Sequence, residues 1–198
     1  VHSIKSRWEK VLEKFSYLHP DLRSVFFKIY EEKGREYKKH VNDTLQALQL
    51  DEGMAEKMVE SFLTAPSKEK LLDGVMNLIS FLKAKGCKIC ILTGGKKAHQ
   101  EARIKKAGLY ELVDAVFYGD EYHKPDKTFF TKSMESFGLE NPEEFIYVGN
   151  DLKFDIIPAV SLGINTYWLT NDNNAENPKS VQVANMAELL NKLKEIDF

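Results

Sequence analysis

Three polar motifs, each just after an apolar run, carry the residue types that handle phosphate and divalent cations. Thr93-Gly94-Gly95 follows the run at 89–92 and opens a helical stretch. A hydroxyl and backbone N–H groups at a helix N-terminus suit a phosphate oxygen. A Thr cap followed by flexible glycines accounts for the same residues structurally. Gly119-Asp120-Glu121-Tyr122-His123-Lys124-Pro125-Asp126 follows the run at 115–118. Lys124 offers a point positive charge, and a solvated loop lysine is the plain alternative. His123 has no partner at metal-ligand spacing and reads as a loop histidine. Gly149-Asn150-Asp151-Leu152-Lys153-Phe154-Asp155 follows the run at 145–148. Two carboxylates four residues apart fit a hard cation, because Mg²⁺ takes one or two carboxylates plus phosphate oxygens. The same pair could instead cap a helix and occupy its first turn.

These motifs need strands and helices to hold them. Residues 1–66 read as a helical module. Ile4, Trp8, Val11, Leu12 and Phe15 repeat at helical spacing. A second helix starts at Pro20-Asp21 and stops at Gly34. Tyr37, Val41, Leu45 and Leu48 predict a third. Asp51 can cap a fourth, which Ala65-Pro66 breaks. From residue 67 the pattern changes. A helix carrying Leu71 to Leu82 stops at Gly86, and apolar strands at 89–92, 115–118, 145–148 and 165–169 then alternate with helices. A last helix is predicted near 187–194. Strands alternating with helices imply right-handed βαβ units and an open parallel sheet. Ligands bind such sheets beyond the carboxyl ends of their strands, where all three motifs lie. Residues 67–198 are therefore expected to form a Rossmann-like α/β core.

Composition narrows the function classes. Lys and Arg number 28 against 30 Asp and Glu, for a net charge of −2, so a protein built chiefly to bind nucleic-acid phosphate is excluded. No apolar run approaches the roughly 18 residues that a membrane span needs. Residues 1–5 show no secretory signal core. The two cysteines, Cys87 and Cys90, cannot form a disulfide scaffold, and a reducing cytoplasm is expected. Their frame, Lys-Cys-Lys-Ile-Cys-Ile-Leu, reads as a buried strand with two structural thiols.

Taken together, the motifs resemble those of the haloacid-dehalogenase-like (HAD) hydrolases, in the subgroup with a helical cap after the first strand. Ile91-Leu92-Thr93-Gly94-Gly95 resembles the family's second motif. His123-Lys124-Pro125-Asp126 followed by Phe129-Phe130 resembles the third. Tyr147-Val148-Gly149-Asn150-Asp151 with Asp155, Ala159 and Gly163 resembles the fourth. The resemblance implies attack by an aspartate at the end of the first strand, giving an aspartyl-phosphate, with a second aspartate as general acid and base. It implies that Thr93 and the backbone near Gly94 hold phosphoryl oxygens. Lys124 would neutralise charge, and Asp151 with Asp155 would hold Mg²⁺ directly or through water. The implied substrate is a small phosphorylated metabolite. Gly94 departs from the Asn common at its place, which bears on substrate contacts.

The family's first motif, an apolar strand ending in Asp-x-Asp, is not found. Asn42-Asp43-Thr44-Leu45 is the nearest string, and it lies in a helical pattern behind Lys38-Lys39-His40. The expected nucleophile is thus outside these 198 residues. It would sit on roughly 15–20 residues upstream of Val1, a strand plus a tight turn. The chain as given is expected to be inactive. That strand would be central, between those ending at Thr93 and Asp151, which leaves their edges unpaired or directly paired. Two other readings stand beside the phosphatase. One is a non-catalytic phosphate- or metal-binding or regulatory module. The other is a haloacid dehalogenase, which would have no use for the Asp151/Asp155 pair.

Overall fold

The computed structural model describes residues 4–34, 37–64, 71–120, 126–171 and 179–196. The chain divides into two compact units, residues 1–70 and 71–198.

In the first unit the described elements are helices: α1 (Ile4–Lys14), α2 (Leu22–Lys33), α3 (His40–Ala47) and α4 (Met54–Thr64). The apolar faces predicted from spacing supply its core. Trp8, Val11, Leu12 and Phe15 join Leu22, Phe26, Val41, Leu45, Ala55 and Met58. Trp8 also stacks on Phe62, with ring centroids 4.3 Å apart. Gly34 ends α2 at φ +76°, and its N–H returns to the carbonyl of Tyr30 at 3.1 Å. Asp51 accepts the N–H of Gly53 at 2.9 Å just before α4. The third helix starts at His40 rather than Tyr37. Tyr37 is drawn out of the helical ladder because its hydroxyl donates to Asp43 at 2.6 Å and its ring meets His40 edge-on.

The second unit is α/β. It contains α5 (Val75–Ala84), β1 (Cys90–Thr93), α6 (Lys97–Lys106), β2 (Ala115–Tyr118), α7 (Lys127–Ser136), β3 (Ile146–Gly149), α8 (Ile157–Ser161), β4 (Asn165–Leu169), β5 (Val181–Val183) and α9 (Met186–Lys194). All strand pairs are parallel. β1 pairs with β2, with Thr93 opposite Tyr118. β3 pairs with β4, and β4 with β5. The expected single sheet is therefore two, ordered β1-β2 and β3-β4-β5. Among the described residues β1 and β3 each keep one edge without a strand partner. Strand β5 was not expected. Its three residues are too few for a period-two pattern to stand out.

Alternation along the strands builds two cores. Tyr147 faces a cluster with Phe129, Phe130, Met134, Phe145, Ala159 and Ile164, against which Cys90, Leu92 and Phe117 also rest. Ile146 and Val148 face the other way. They meet a cluster of Tyr167, Val183, Met186, Leu189 and Leu193, together with Val75 and Leu78 of α5. The β3-β4-β5 sheet is thus covered on both faces, as parallel strands require.

The cysteines depart from the expected strand. β1 begins at Cys90, while the N–H of Cys87 bonds back to the carbonyl of Leu82 beyond the end of α5. Both thiols are free. Burial pushes the Cys90 thiol up to about 12, with Asp114 adding to the rise, which makes it unreactive at neutral pH. Among the described residues no helix is long and apolar enough to cross a membrane.

His40 supplies a pH test of the helical unit. It is 5% exposed, lies among the rings of Phe26, Tyr30 and Tyr37, and its Nε2 has no hydrogen-bond partner among the described residues. Burial holds its pKa below the ordinary histidine value, against opposing contributions from the Gly34 backbone and Asp43. A depressed pKa means that the folded state binds fewer protons than the unfolded one. The stability is therefore full above the ordinary value of about 6.5 and is lost as pH falls below it. Thermal unfolding followed by helical circular dichroism should give a midpoint that drops between pH 7 and pH 5. His40→Leu should flatten that slope.

Candidate functional site

The described motif residues form two clusters at strand ends. In the first, β1 delivers Thr93 and then Gly94-Gly95 into the start of α6, while β2 delivers Gly119-Asp120 beside them. The N–H of Gly119 bonds to the carbonyl of Gly95 at 3.1 Å. Asp120 Oδ2 accepts the N–H of Lys97, the first residue of α6, at 2.9 Å. A carboxylate at a helix N-terminus is favoured by the helix dipole, so Asp120 ties the second motif to the loop that follows β2. The approach is close. A Cβ on Gly119 would fall 2.5 Å from the Gly95 nitrogen and 2.9 Å from the Gly94 Cα. Thr93 is half-buried, with Oγ1 3.5 Å from the Gly94 carbonyl oxygen. Gly94 is exposed and has open space where a Cβ would be.

Residues 121–125 lie outside the described residues, so the expected roles of Lys124 and His123 have no geometry here. Asp126 caps α7, accepting the N–H of Thr128 at 2.9 Å, and Phe129 and Phe130 are fully buried.

The second cluster is the turn after β3. Asp151 is the N-cap of the turn at Leu152–Ile156. Its Oδ1 accepts the N–H groups of Lys153 and Phe154, each at 3.0 Å. Asp155 is buried at 8% exposure, and its carboxylate accepts hydrogen bonds from Tyr147, Asn150 and Asp151. The Tyr147 hydroxyl reaches Oδ1 at 2.9 Å, and the N–H groups of Asn150 and Asp151 reach Oδ2 at 3.3 and 3.1 Å. Burial, reinforced by the adjacent Asp155 charge, raises the Tyr147 pKa, so the phenol stays protonated and remains a donor. Trp168 Nε1 donates to the Asn150 carbonyl at 3.3 Å, tying the turn to β4. Gly149 makes room for this arrangement, since a Cβ there would lie 2.5 Å from the Asp155 Cβ. The helix-capping alternative for Asp151 is thus realised in the structure. Capping occupies one carboxylate oxygen and is compatible with a cation role.

Asp120, Tyr147 and Trp168 were missed by sequence reasoning. Asp120 carried a usable signal, because it stands two residues beyond the end of β2, as Asp151 does beyond β3. Tyr147 carried a weaker one, a hydroxyl inside an apolar strand.

The family model for haloacid dehalogenase-like hydrolases matches residues 5–163. The chain belongs to the haloacid dehalogenase-like hydrolases. It is 25% identical over 169 residues to the pyrimidine 5'-nucleotidase YjjG of Escherichia coli, covering 78% of this chain and 74% of that protein. It is 28% identical over 149 residues to the glyceraldehyde 3-phosphate phosphatase of Methanocaldococcus jannaschii, covering 72% of this chain and 64% of that protein. The match thus spans just under two thirds of the archaeal relative. In fold it is similar to the HAD-hydrolase YfnB of Bacillus subtilis, solved bound to magnesium. That likeness has a TM-score of 0.73 at 20% identity, covering 96% of this chain and 91% of that one.

The donor set of this HAD-like chain fits Mg²⁺ on its own chemistry. Among the described residues no group of three or more His, Cys, Asp and Glu converges as a metal cage. Mg²⁺ does not need one, because it keeps several waters and binds through one or two carboxylates plus phosphate oxygens. Asp151 and Asp155 supply that number at one strand end.

The glycines give a graded test. Gly119→Ala and Gly149→Ala each force a Cβ against backbone or a fixed side chain, and should cost about 1–3 kcal/mol by denaturant unfolding. Gly94→Ala meets nothing and should stay within about 0.5 kcal/mol of the unmodified chain.

Proposed function

We propose that this chain is the greater part of a Mg²⁺-dependent phosphatase acting on a small phosphorylated metabolite through an aspartyl-phosphate intermediate. The observation that carries this reading is the Asp151–Asp155 turn, where two carboxylates stand beside a strand end in a hydrogen-bonded frame. The Thr93-Gly94-Gly95 loop at the start of α6 supports it with a hydroxyl and backbone N–H groups. The two relatives bear the names of a nucleotidase and a sugar-phosphate phosphatase, and both names describe phosphomonoester hydrolysis.

In this reading Thr93 Oγ1 donates to an oxygen of the transferring phosphoryl group, and the N–H groups of Gly94 and Gly95 orient it. The ammonium of Lys124 offsets its charge. Asp151 holds the cation, with Asp155 contributing directly or through water. When bound, Mg²⁺ supplies the largest local positive charge for the phosphoryl oxygens. Phosphoryl transfer asks mainly for such positioning and charge stabilisation. The attacking aspartate is assigned outside the 198 residues because within them no Asp-x-Asp follows an apolar strand. The helical unit is assigned the role of cap, selecting the part of the substrate that is not phosphate. The two free thiols support a cytoplasmic setting.

The absent nucleophile motif favours a second reading, a non-catalytic module that binds phosphate or metal. The coding sequence upstream of Val1 separates the two. An apolar strand ending in Asp-x-Asp there should yield a longer protein that hydrolyses small phosphomonoesters only with Mg²⁺. A natural start near Val1 would leave the non-catalytic reading. The 198-residue chain itself should not turn over p-nitrophenyl phosphate with Mg²⁺. Turnover above an Asp151→Asn control would place the nucleophile inside the chain.

A further inference from the structure

The turn carrying Asp151 is braced by a residue to which the chemistry above gives no part. Tyr147 lies on β3 two residues before Gly149, and it is buried in the core with its ring edge-on to Phe130 at 4.9 Å. Its hydroxyl fixes one oxygen of the Asp155 carboxylate, and the other oxygen receives the N–H groups of Asn150 and Asp151. A carboxylate is flat and turns about its side-chain bonds. Held at Oδ1 by a rigid phenol, it presents Oδ2 to the two amides in one orientation. Gly149 permits the contact, and Trp168 secures the Asn150 carbonyl from the neighbouring strand. The direction of Asp151 therefore depends on a chain of contacts that begins in the hydrophobic core.

We infer that Tyr147 is a positioning residue, which through Asp155 sets the Asn150–Asp151 turn in the orientation Asp151 needs to hold a divalent cation. The inference rests on the metal role proposed above for Asp151. Metal-site partners one shell removed are commonly worth tenfold or more in metal affinity. Tyr147→Phe removes the hydroxyl and keeps the ring, so it tests the hydrogen bond with little change in packing.

The experiment uses the whole 198-residue chain in four forms: unmodified, Tyr147→Phe, Phe145→Leu and Asp151→Asn. Phe145 belongs to the same core cluster and has no hydroxyl, so its variant reports general loosening. Without metal, amide hydrogen exchange at Asp151 should speed about tenfold in Tyr147→Phe, beyond any change at Tyr167 in β4. Phe145→Leu should show no such local excess. Mn²⁺ affinity by electron paramagnetic resonance should fall about tenfold in Tyr147→Phe, hold in Phe145→Leu, and vanish in Asp151→Asn. Unchanged exchange and Mn²⁺ affinity in Tyr147→Phe, or equal losses in Phe145→Leu, would overturn the positioning role alone. An unmodified chain that takes up no Mn²⁺ would overturn the metal reading and this inference with it.

Discussion

A buried carboxylate must be compensated, and the β3 end of the second unit is organised around that requirement. Leaving an ionised group in the interior without donors costs several kcal/mol or forces it to neutralise. The donors that meet this demand at Asp155 include a phenol in the core and two amides of the turn. Satisfying this one group also fixes the backbone at Asn150 and Asp151. The same hydrogen bonds that make burial tolerable therefore orient the exposed end of the motif. Gly149 follows from this arrangement, because the contact between strand end and carboxylate leaves no room for a Cβ.

The β1–β2 end solves a similar problem by other means. Here two loops approach backbone to backbone, and the close pair is Gly119 against Gly94-Gly95. Asp120 supplies the carboxylate, placed at the exposed start of α6 rather than in the core. An acidic group beside a helix N-terminus is favourable in itself and needs no buried network. The two clusters thus place negative charge differently. The first uses it to close a helix start, and the second uses it to brace a turn that presents another carboxylate.

Much of this was legible in sequence because it depends on local chemistry. The four helices of the first unit follow from apolar spacing and from stops such as Gly34. The parallel α/β core follows from short apolar runs alternating with helices. Thr93, Gly94, Asp151 and Asp155 stand out as candidates because their types fall at or beyond strand ends. Other features depend on distant partners and left little trace. Tyr147 looks like an ordinary strand residue until the turn folds back so that Asp155 meets its hydroxyl. Asp120 needs α6 beside it before it has anything to cap. The start of α3 shifted because a Tyr37–Asp43 hydrogen bond competed with helix propensity. The division of the strands into two sheets agrees with the expectation that a missing central strand would leave the facing edges of β1 and β3 unpaired.

Separate sheets could leave the strand ends without a common frame, and α7 is what prevents this. Its two phenylalanines are fully buried in a core that receives Cys90 and Leu92 from β1, Phe117 from β2, and Phe145 and Tyr147 from the β3 side. Asp126, the first described residue after 121–125, caps the same helix. Phe130 touches Tyr147, and Tyr147 holds Asp155. The buried face of one helix thus references the ends of β1, β2 and β3 to each other through close-packed side chains, which yield little to local strain. On the proposed phosphatase reading such support is needed, because any reorganisation when a phosphate arrived would subtract from the stabilisation by preorganised charge. On that reading the hydrophobic contacts of Phe129 and Phe130 serve the function as much as the fold.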